Sequence, residues 1–335
     1  MVACLTVTYG NRIRLLSKVI DRVLQENVDK IIVVNNNASP ESAKCLTDLM
    51  RQHQGKIEVI DLPRNTGTAY AFKIGLEQAC RSDECEYIWL LDDDNVPEEG
   101  TLQKLLNFIS TPQGRRPEVC CLTSDRVGSH YINCIRDNNP MIALGRMNSF
   151  WGFHLMEMPK KILKRLSSYS VYDRPLPKPY GEIRMVPYGG LFINRDIIPK
   201  VGYPDISYFM YVDDYEYTFR ISKAGYKIYL LGTTRIHDIE KGWEAGLKGP
   251  HFSRLAKSRN PIRLYYSARN MIRFQRENTV SNASMYYLNF LTFITFFLLA
   301  CLLRLKFRNI ATMWLAICAA FGNEHGESAN FKLNT

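Results

Sequence analysis

The chain has 335 residues, 46% of them hydrophobic and 12% aromatic, with a formal net charge of +10. That length accommodates one large domain or a domain with an appendage, and the composition excludes a disordered chain. The positive balance suits polyanionic partners; no zinc-finger or P-loop pattern is present, so no nucleic-acid partner is expected. The basic residues gather in the second half near apolar segments, which favours lipid head groups and diphosphates.

The first half alternates strands and helices. Strands are expected over Val2–Val7, Lys30–Val34, Ile57–Asp61, Tyr87–Leu91 and Val119–Thr123, with helices over Arg12–Gln25, Pro40–His53, Ala69–Cys80 and Gly100–Ser110. This alternation predicts an α/β fold with a mostly parallel central sheet flanked by helices. Ligands of such sheets bind at the carboxyl ends of the strands. Polar clusters sit there: Thr8-Tyr9-Gly10-Asn11, Asn35-Asn36-Asn37 and Asp92-Asp93-Asp94. The N-terminal strand follows Met1 directly with no basic and apolar leader, so no signal peptide is expected. Nine cysteines without a CxxC spacing read as reduced, mostly buried thiols of a cytosolic protein.

Asp92-Asp93-Asp94 is the most informative of these clusters. Three carboxylates after a buried strand repel one another and resist desolvation unless something positive neutralises them. A hard divalent cation such as Mg2+ or Mn2+ would do so. In an extended segment Asp92 and Asp94 point to the same face and could hold one ion together. An acidic turn closing the strand is the simpler alternative.

Farther on, Pro159–Leu166 is expected to form a short basic helix, and Asp173–Pro179, with three prolines in five residues, a loop. Val186–Ile193 reads as a strand broken by Gly189-Gly190, where a bulge or a close backbone approach, by a substrate for example, is expected. A helix containing Asp213-Asp214 should end at Gly225. A strand over Lys227–Leu231 is followed closely by His237-Asp238.

Six segments together resemble the inverting nucleotide-sugar glycosyltransferases of family 2. The likeness is greatest to bacterial rhamnosyl- and galactofuranosyltransferases of surface-polysaccharide assembly. The segments are Val7–Arg12, Val33–Ser39, Asn65–Gly75, Leu91–Asp94, Asp213–Arg220 and Tyr265–Asn270. The resemblance covers residues 1 to about 275 and implies a GT-A fold. It also implies a domain over 1–275, with a nucleotide half at 1–123 and an acceptor half at 124–275, followed by a C-terminal region at 276–335.

By the same resemblance, Asp92, Asp94 and His237 would hold Mn2+ or Mg2+. Thr8, Tyr9, Asn35, Asn37, Asn65 and Asp93 would contact the nucleotide-diphospho-sugar donor. Asp214 would be the base that accepts the acceptor hydroxyl's proton, with Asp213 beside it; paired carboxylates raise each other's proton affinity, which suits a base. The family usually carries Asp where this chain has Asn35, which leaves the nucleotide, uridine or deoxythymidine, open. Arg12 and Lys73 are candidates for phosphate contacts or plain surface residues.

Met285–Leu303 runs 19 residues without a charge, long enough to span a bilayer. Arg304, Lys306 and Arg308 follow it, while Arg269, Arg273 and Arg276 precede it. The two clusters give opposite orientations under the positive-inside rule, which favours helices lying in one leaflet of an anionic membrane. The expectation is an enzyme on the cytoplasmic face of the cell membrane acting on a lipid-linked saccharide. Two alternatives stand beside it: a sugar nucleotidyltransferase, disfavoured because Val7–Arg12 has one glycine where a glycine-rich loop is needed, and an inactive saccharide-binding or scaffold protein.

Overall fold

The computed structural model describes residues 1–159, 175–240 and 249–333. They divide into two compact units. The first comprises residues 1–143, 177–241 and the last few residues; the second comprises 144–176 and 242–332.

The first unit is built on one nine-stranded sheet. Its strands are β1 (Val2–Gly10), β2 (Lys30–Ala38), β3 (Ile57–Leu62), β4 (Tyr87–Asp92), β5 (Asn95–Pro97), β6 (Val119–Arg126), β7 (Tyr180–Ile183), β8 (Leu191–Asn194) and β9 (Lys227–Asp238). The order is β3-β2-β1-β4-β8-β6-β9-β5, with β7 also paired to β9. From β3 to β4 every pairing is parallel. β8 then enters antiparallel between β4 and β6, while β6 and β9 run parallel.

Cys4–Val7 and Ile88–Leu91 are buried along their whole length, as strands covered on both faces must be. The covering helices are α1 (Ile13–Gln25), α2 (Pro40–Gln52), α3 (Gly67–Cys80) and α4 (Thr101–Ile109). α1 buries Leu16, Val19, Ile20 and Val23, one face of a helical period. α2 begins where Ser39 accepts a hydrogen bond from the Ser42 amide and Pro40 takes the first turn. Two short helices, α5 (Asn133–Arg136) and α6 (Ile198–Val201), precede α7 (Asp213–Lys223). The order reverses beside β1, since β2 and β3 lie on one side of it and β4 on the other. The crevice at a parallel sheet's ligand-binding end therefore opens between the ends of β1 and β4.

Several expectations shift. Asn95–Pro97 is a strand that its own sequence does not suggest; it is held by antiparallel pairing to the end of β9. β9 runs to Asp238, so His237 lies within a strand and not after one. In place of Val186–Ile193 the strand is Leu191–Asn194, because Gly189-Gly190 form a turn before it. Most of the basic segment after Pro159 lies outside the described residues, as do Asp173 and Arg174.

The second unit is helical: α8 (His251–Ala256), α9 (Pro261–Asn278), α10 (Ala283–Leu302) and α11 (Phe307–Phe321). Asn260 and Asn282 cap α9 and α10 through the amides of Arg263 and Met285. The boundary expected at residue 275 falls inside α9. That helix buries Leu264, Tyr265, Tyr266, Ala268, Ile272 and Phe274 and belongs wholly to this unit. Arg269 is buried there, stacked on Tyr265 and Tyr266 and donating to the Gly326 carbonyl. The Tyr265–Asn270 segment thus holds Gly326, Ser328 and Phe331 within its own unit.

Candidate active site

β4 ends at Asp92, and Asp93-Asp94 form the turn into β5. Asp92 and Asp94 therefore do not lie on one extended segment, and the alternation argument for their common direction fails. Asn95, fully buried, closes the turn: its Oδ1 accepts from the Asp92 amide, and its Nδ2 donates to Asp94 and to Asp238 Oδ1 at 2.8 Å. The close approach that the sequence assigns to Gly189 is made by these side chains. A Cβ there would lie 1.9 Å from Asn95 Oδ1 and 2.8 Å from Asp92 Oδ2.

The middle carboxylate turns inward. Asp93 is 3% exposed and takes hydrogen bonds from Thr8 Oγ1 (2.9 Å) and from Arg12 Nε and Nη2 (2.8 Å each). Expected to face a donor, Asp93 instead ties β4 to β1 across the crevice, and Thr8 is occupied in the same bond. Arg12 also reaches Asp94 at 3.6 Å and Glu240 at 2.6 Å, and its guanidinium lies over the Tyr9 ring. A second arginine, Arg126 at the end of β6, pairs with Asp238 at 2.8 Å and with Asp92 at 3.6 Å. Arg126 and Asp238 carry no motif in the sequence. Their place beside the triple aspartate follows from the pairing of β6 with β9 and of β9 with β5.

Five carboxylates thus share two guanidinium groups, an excess of three negative charges when all are ionised among the described residues. The acids register the deficit. Burial, against the opposing charge of Arg126, pushes Asp92 up to about 6. Burial and the charges of Asp92 and Asp93 push Asp94 up to about 7. Asp92 and Asp94 keep partial access to solvent, at 37% and 18% of their side-chain surface. They offer the oxygen donors that a hard cation takes, in a place short of positive charge.

Among the described residues no group of three or more His, Cys, Asp or Glu forms a ready-made ligand cluster. His237 stands apart: its Nε2 lies 3.0 Å from Glu98, while its neighbour Asp238 carries the side chain that reaches the turn. Alternation along β9 sends the two residues to opposite faces.

A second acidic pair borders the same region. Asp213 and Asp214 open α7 after Phe209, Tyr211 and Val212, all at positive φ. A β-branched residue at φ 69° is strained, and such strain persists only where the surroundings impose it. Here α3 imposes it. A Cβ at Gly67 would lie 2.2 Å from the Phe209 carbonyl oxygen, the Ala69 amide donates to that oxygen, and Thr68 Oγ1 donates to both oxygens of Asp213. At the far end of α7, Arg220 pairs with Glu216 and donates to the Val201 and Tyr203 carbonyls.

Asp213 is 2% exposed, and burial together with the charge of Asp214 pushes it well above the usual carboxylate range. Burial pushes Asp214 up to about 6, opposed by the Tyr215 amide and by Arg126. The charge of Asp214 also raises Asp92, so the two acidic groups lie within electrostatic reach of each other, with Arg126 acting on both.

The asparagines at the end of β2 hold the loops together. Asn35 Nδ2 donates to Asp61 and its Oδ1 accepts from the Ala38 amide; buried Asn36 binds Asn65, Thr66 and the Gly67 carbonyl. Asn65 accepts from Asn36 and the Gly67 amide. Asn37 sits at φ 65° with its side chain half-buried. Tyr9 is the most open of the six predicted donor residues, at 38%. Lys73 faces Glu77 on its own helix.

Residues 4–166 match the family model described as Glycosyl transferase family 2. The match takes in just under half of the chain; the fold is GT-A, a mixed sheet flanked by helices. It is 25% identical over 148 residues to the teichoic acid poly(glycerol phosphate) polymerase of Staphylococcus epidermidis, a match covering 41% of this chain and 20% of that protein. This chain thus spans only about a fifth of that relative's length. Among solved structures it is similar to mannosyltransferase PcManGT from Pyrobaculum calidifontis in complex with GDP-Man and Mn2+, with 14% identity, a TM-score of 0.51, and coverage of 96% of this chain and 87% of that one. It is also similar to GalNAc-T7 with UDP, GalNAc and Mn2+, with 14% identity, a TM-score of 0.50, and coverage of 89% and 54%. At this identity the likeness establishes the fold.

Proposed function

We propose that the protein is an inverting glycosyltransferase that moves a sugar from a nucleotide-diphosphate donor to a lipid-linked saccharide at the cytoplasmic face of the cell membrane. The observation that carries this reading is that two acidic groups, Asp92 and Asp94 at the end of β4 and Asp213-Asp214 at the start of α7, lie within electrostatic reach of each other, with Arg126 acting on both Asp92 and Asp214. Asp92 and Asp94 would hold Mn2+ or Mg2+, which supplies positive charge for the departing diphosphate. Asp214 accepts the proton of the acceptor hydroxyl as its oxygen bonds to the anomeric carbon and the sugar–phosphate bond breaks. Asp214 as the single base implies direct displacement with inversion and no covalent intermediate. Asp213, held by Thr68, fixes the start of α7 and raises the proton affinity of the pair.

The motif resemblance supports UDP-galactofuranose or dTDP-rhamnose as donor. The similarity to a teichoic acid polymerase supports a cell-surface polymer pathway for the acceptor. Nucleotide contacts are assigned to Tyr9 and Asn37, with Asn35 and Asn65 shaping the loops around them.

The test is transfer or donor hydrolysis by the full chain in detergent, with a panel of nucleotide sugars and Mn2+ or Mg2+. One donor should release its nucleoside diphosphate. Asp214→Asn should lower kcat by about 10²–10⁴-fold with donor binding retained. Asp92→Ala should lose both metal dependence and turnover. A protein that binds none of these donors in the presence of metal is not a glycosyltransferase.

A further inference from the structure

One surface of the second unit is built unlike a protein exterior. α10 buries Tyr286, Asn289, Phe293, Phe297, Ala300 and Cys301 on one side. Its other side presents Leu288, Leu291, Leu299 and Leu302, each 47–60% exposed, in a single helical stripe. Thr295 interrupts this stripe, and its hydroxyl is satisfied by the Leu291 carbonyl. The stripe runs into the turn before α11, where Leu303, Leu305 and Phe307 are 85%, 75% and 60% exposed. Arg304, Lys306 and Arg308 alternate with them, also exposed. No acidic residue occurs between Glu277 and Glu324.

We infer that this stripe and turn seat the protein in one leaflet of an anionic bilayer, with α10 lying along the surface and Leu303, Leu305 and Phe307 inserted. The inference deepens the membrane location proposed above by naming the surface, its depth and its lipid. Alternation of large apolar and cationic side chains suits the head-group boundary, where hydrocarbon and phosphate are both within reach of one short turn.

α10 is long and apolar enough to cross a membrane, but its inner face is committed. Asn289 bonds the Asn148 carbonyl and the Leu155 amide, and Phe293 packs against the Phe150, Trp151, Phe153 and Phe252 rings. A crossing would carry this irregular segment into hydrocarbon, where any backbone polar group that the protein itself does not satisfy has no water to bond. The upstream cations that complicate the orientation are engaged internally: Arg269 by Gly326, Arg273 by Glu277, and Arg276 by the Ala320 carbonyl and the Phe321 ring. In the turn Arg304 donates to the Ala300 carbonyl, while Lys306 and Arg308 face outward. A symmetric pair of chains meeting through this surface would bring the two basic turns into one interface with no carboxylate from α10, the turn or α11 to offset them.

The test is co-sedimentation of the full chain with vesicles of phosphatidylcholine alone or mixed with phosphatidylglycerol. The wild type should bind the anionic vesicles, more weakly as salt is raised. The combined variant Leu303→Ser, Leu305→Ser, Phe307→Ser should bind at least about tenfold more weakly. Lys306→Gln with Arg308→Gln should lose about tenfold or more on anionic vesicles and little on neutral ones. The affected side chains are exposed, so unchanged circular dichroism is expected. Undiminished binding by the serine variant overturns the seating and leaves the membrane location standing. A wild type that binds no vesicle overturns both. Binding that resists alkaline extraction means a crossing and overturns the shallow seating, and a solution dimer abolished by the serine variant assigns the surface to a second copy and overturns it.

Discussion

Asp92, Asp94 and Asp214 all hold protons more tightly than free carboxyls do, and for Asp214 this has consequences of opposite sign for rate and stability. The Asp213–Asp214 pair titrates as a unit. As the base must be ionised, kcat/KM should fall as pH drops through about 6. A carboxyl whose folded pKa is raised costs stability once ionised. The cost is absent below about 4, the unfolded value, and complete above about 6. Asp214→Asn should therefore melt higher than the wild type at pH 7–8, by about 1–3 kcal/mol, with the difference vanishing in acid. Thermal denaturation across this pH range checks it. Gly189→Ala should act on the donor side. Its methyl collides with Asn95 and Asp92, so the turn must move, at a cost of about 1–3 kcal/mol. Turnover should suffer more than the melting temperature predicts, because the displaced turn carries the proposed metal ligands Asp92 and Asp94. Sequence spacing picks out the acidic residues but not their orientation. Asp93 is drawn inward by Arg12, 81 residues earlier in the chain, and His237 faces Glu98 because of its register in β9.

Element boundaries were legible wherever local chemistry sets them. Pro40 marks a helix start that the structure keeps, and the apolar runs of β1 and β4 read directly as strands. The start of α7 was not legible, since Val212 has no local preference for a left-handed backbone. It is driven there by the packing of α3 on Phe209 and by the Thr68–Asp213 bond. This makes Val212→Gly informative. Glycine relieves the strain at some entropic cost, for a net gain of about 1 kcal/mol in stability. The same freedom lets Asp213 and Asp214 drift, so kcat should fall. A denaturant melt paired with steady-state kinetics measures both; a variant that is less stable would mean that the local strain is not significant. β5 was missed for a related reason: three residues carry no periodicity, and only the far end of β9 makes them a strand.

At the scale of the molecule, the alternation of strands and helices was enough to give the class of fold, and the apolar C-terminal run enough to raise the question of a membrane. The division into units was not readable. α9 carries the end of the family-like segment, yet its buried face belongs with α10 and α11. Chain order also bears on synthesis. β8 lies between β4 and β6 but is encoded after residues 144–176, which belong to the other unit. As the chain leaves the ribosome, β1 to β4 can assemble early, leaving β4 as an open edge rich in Ile, Trp and Leu until residue 194 has emerged. At ordinary elongation rates that interval is on the order of ten seconds. During it the nascent sheet offers an unpaired apolar strand to any neighbour, so the yield of soluble protein should depend on how fast this middle stretch is translated and how crowded the expressing cell is.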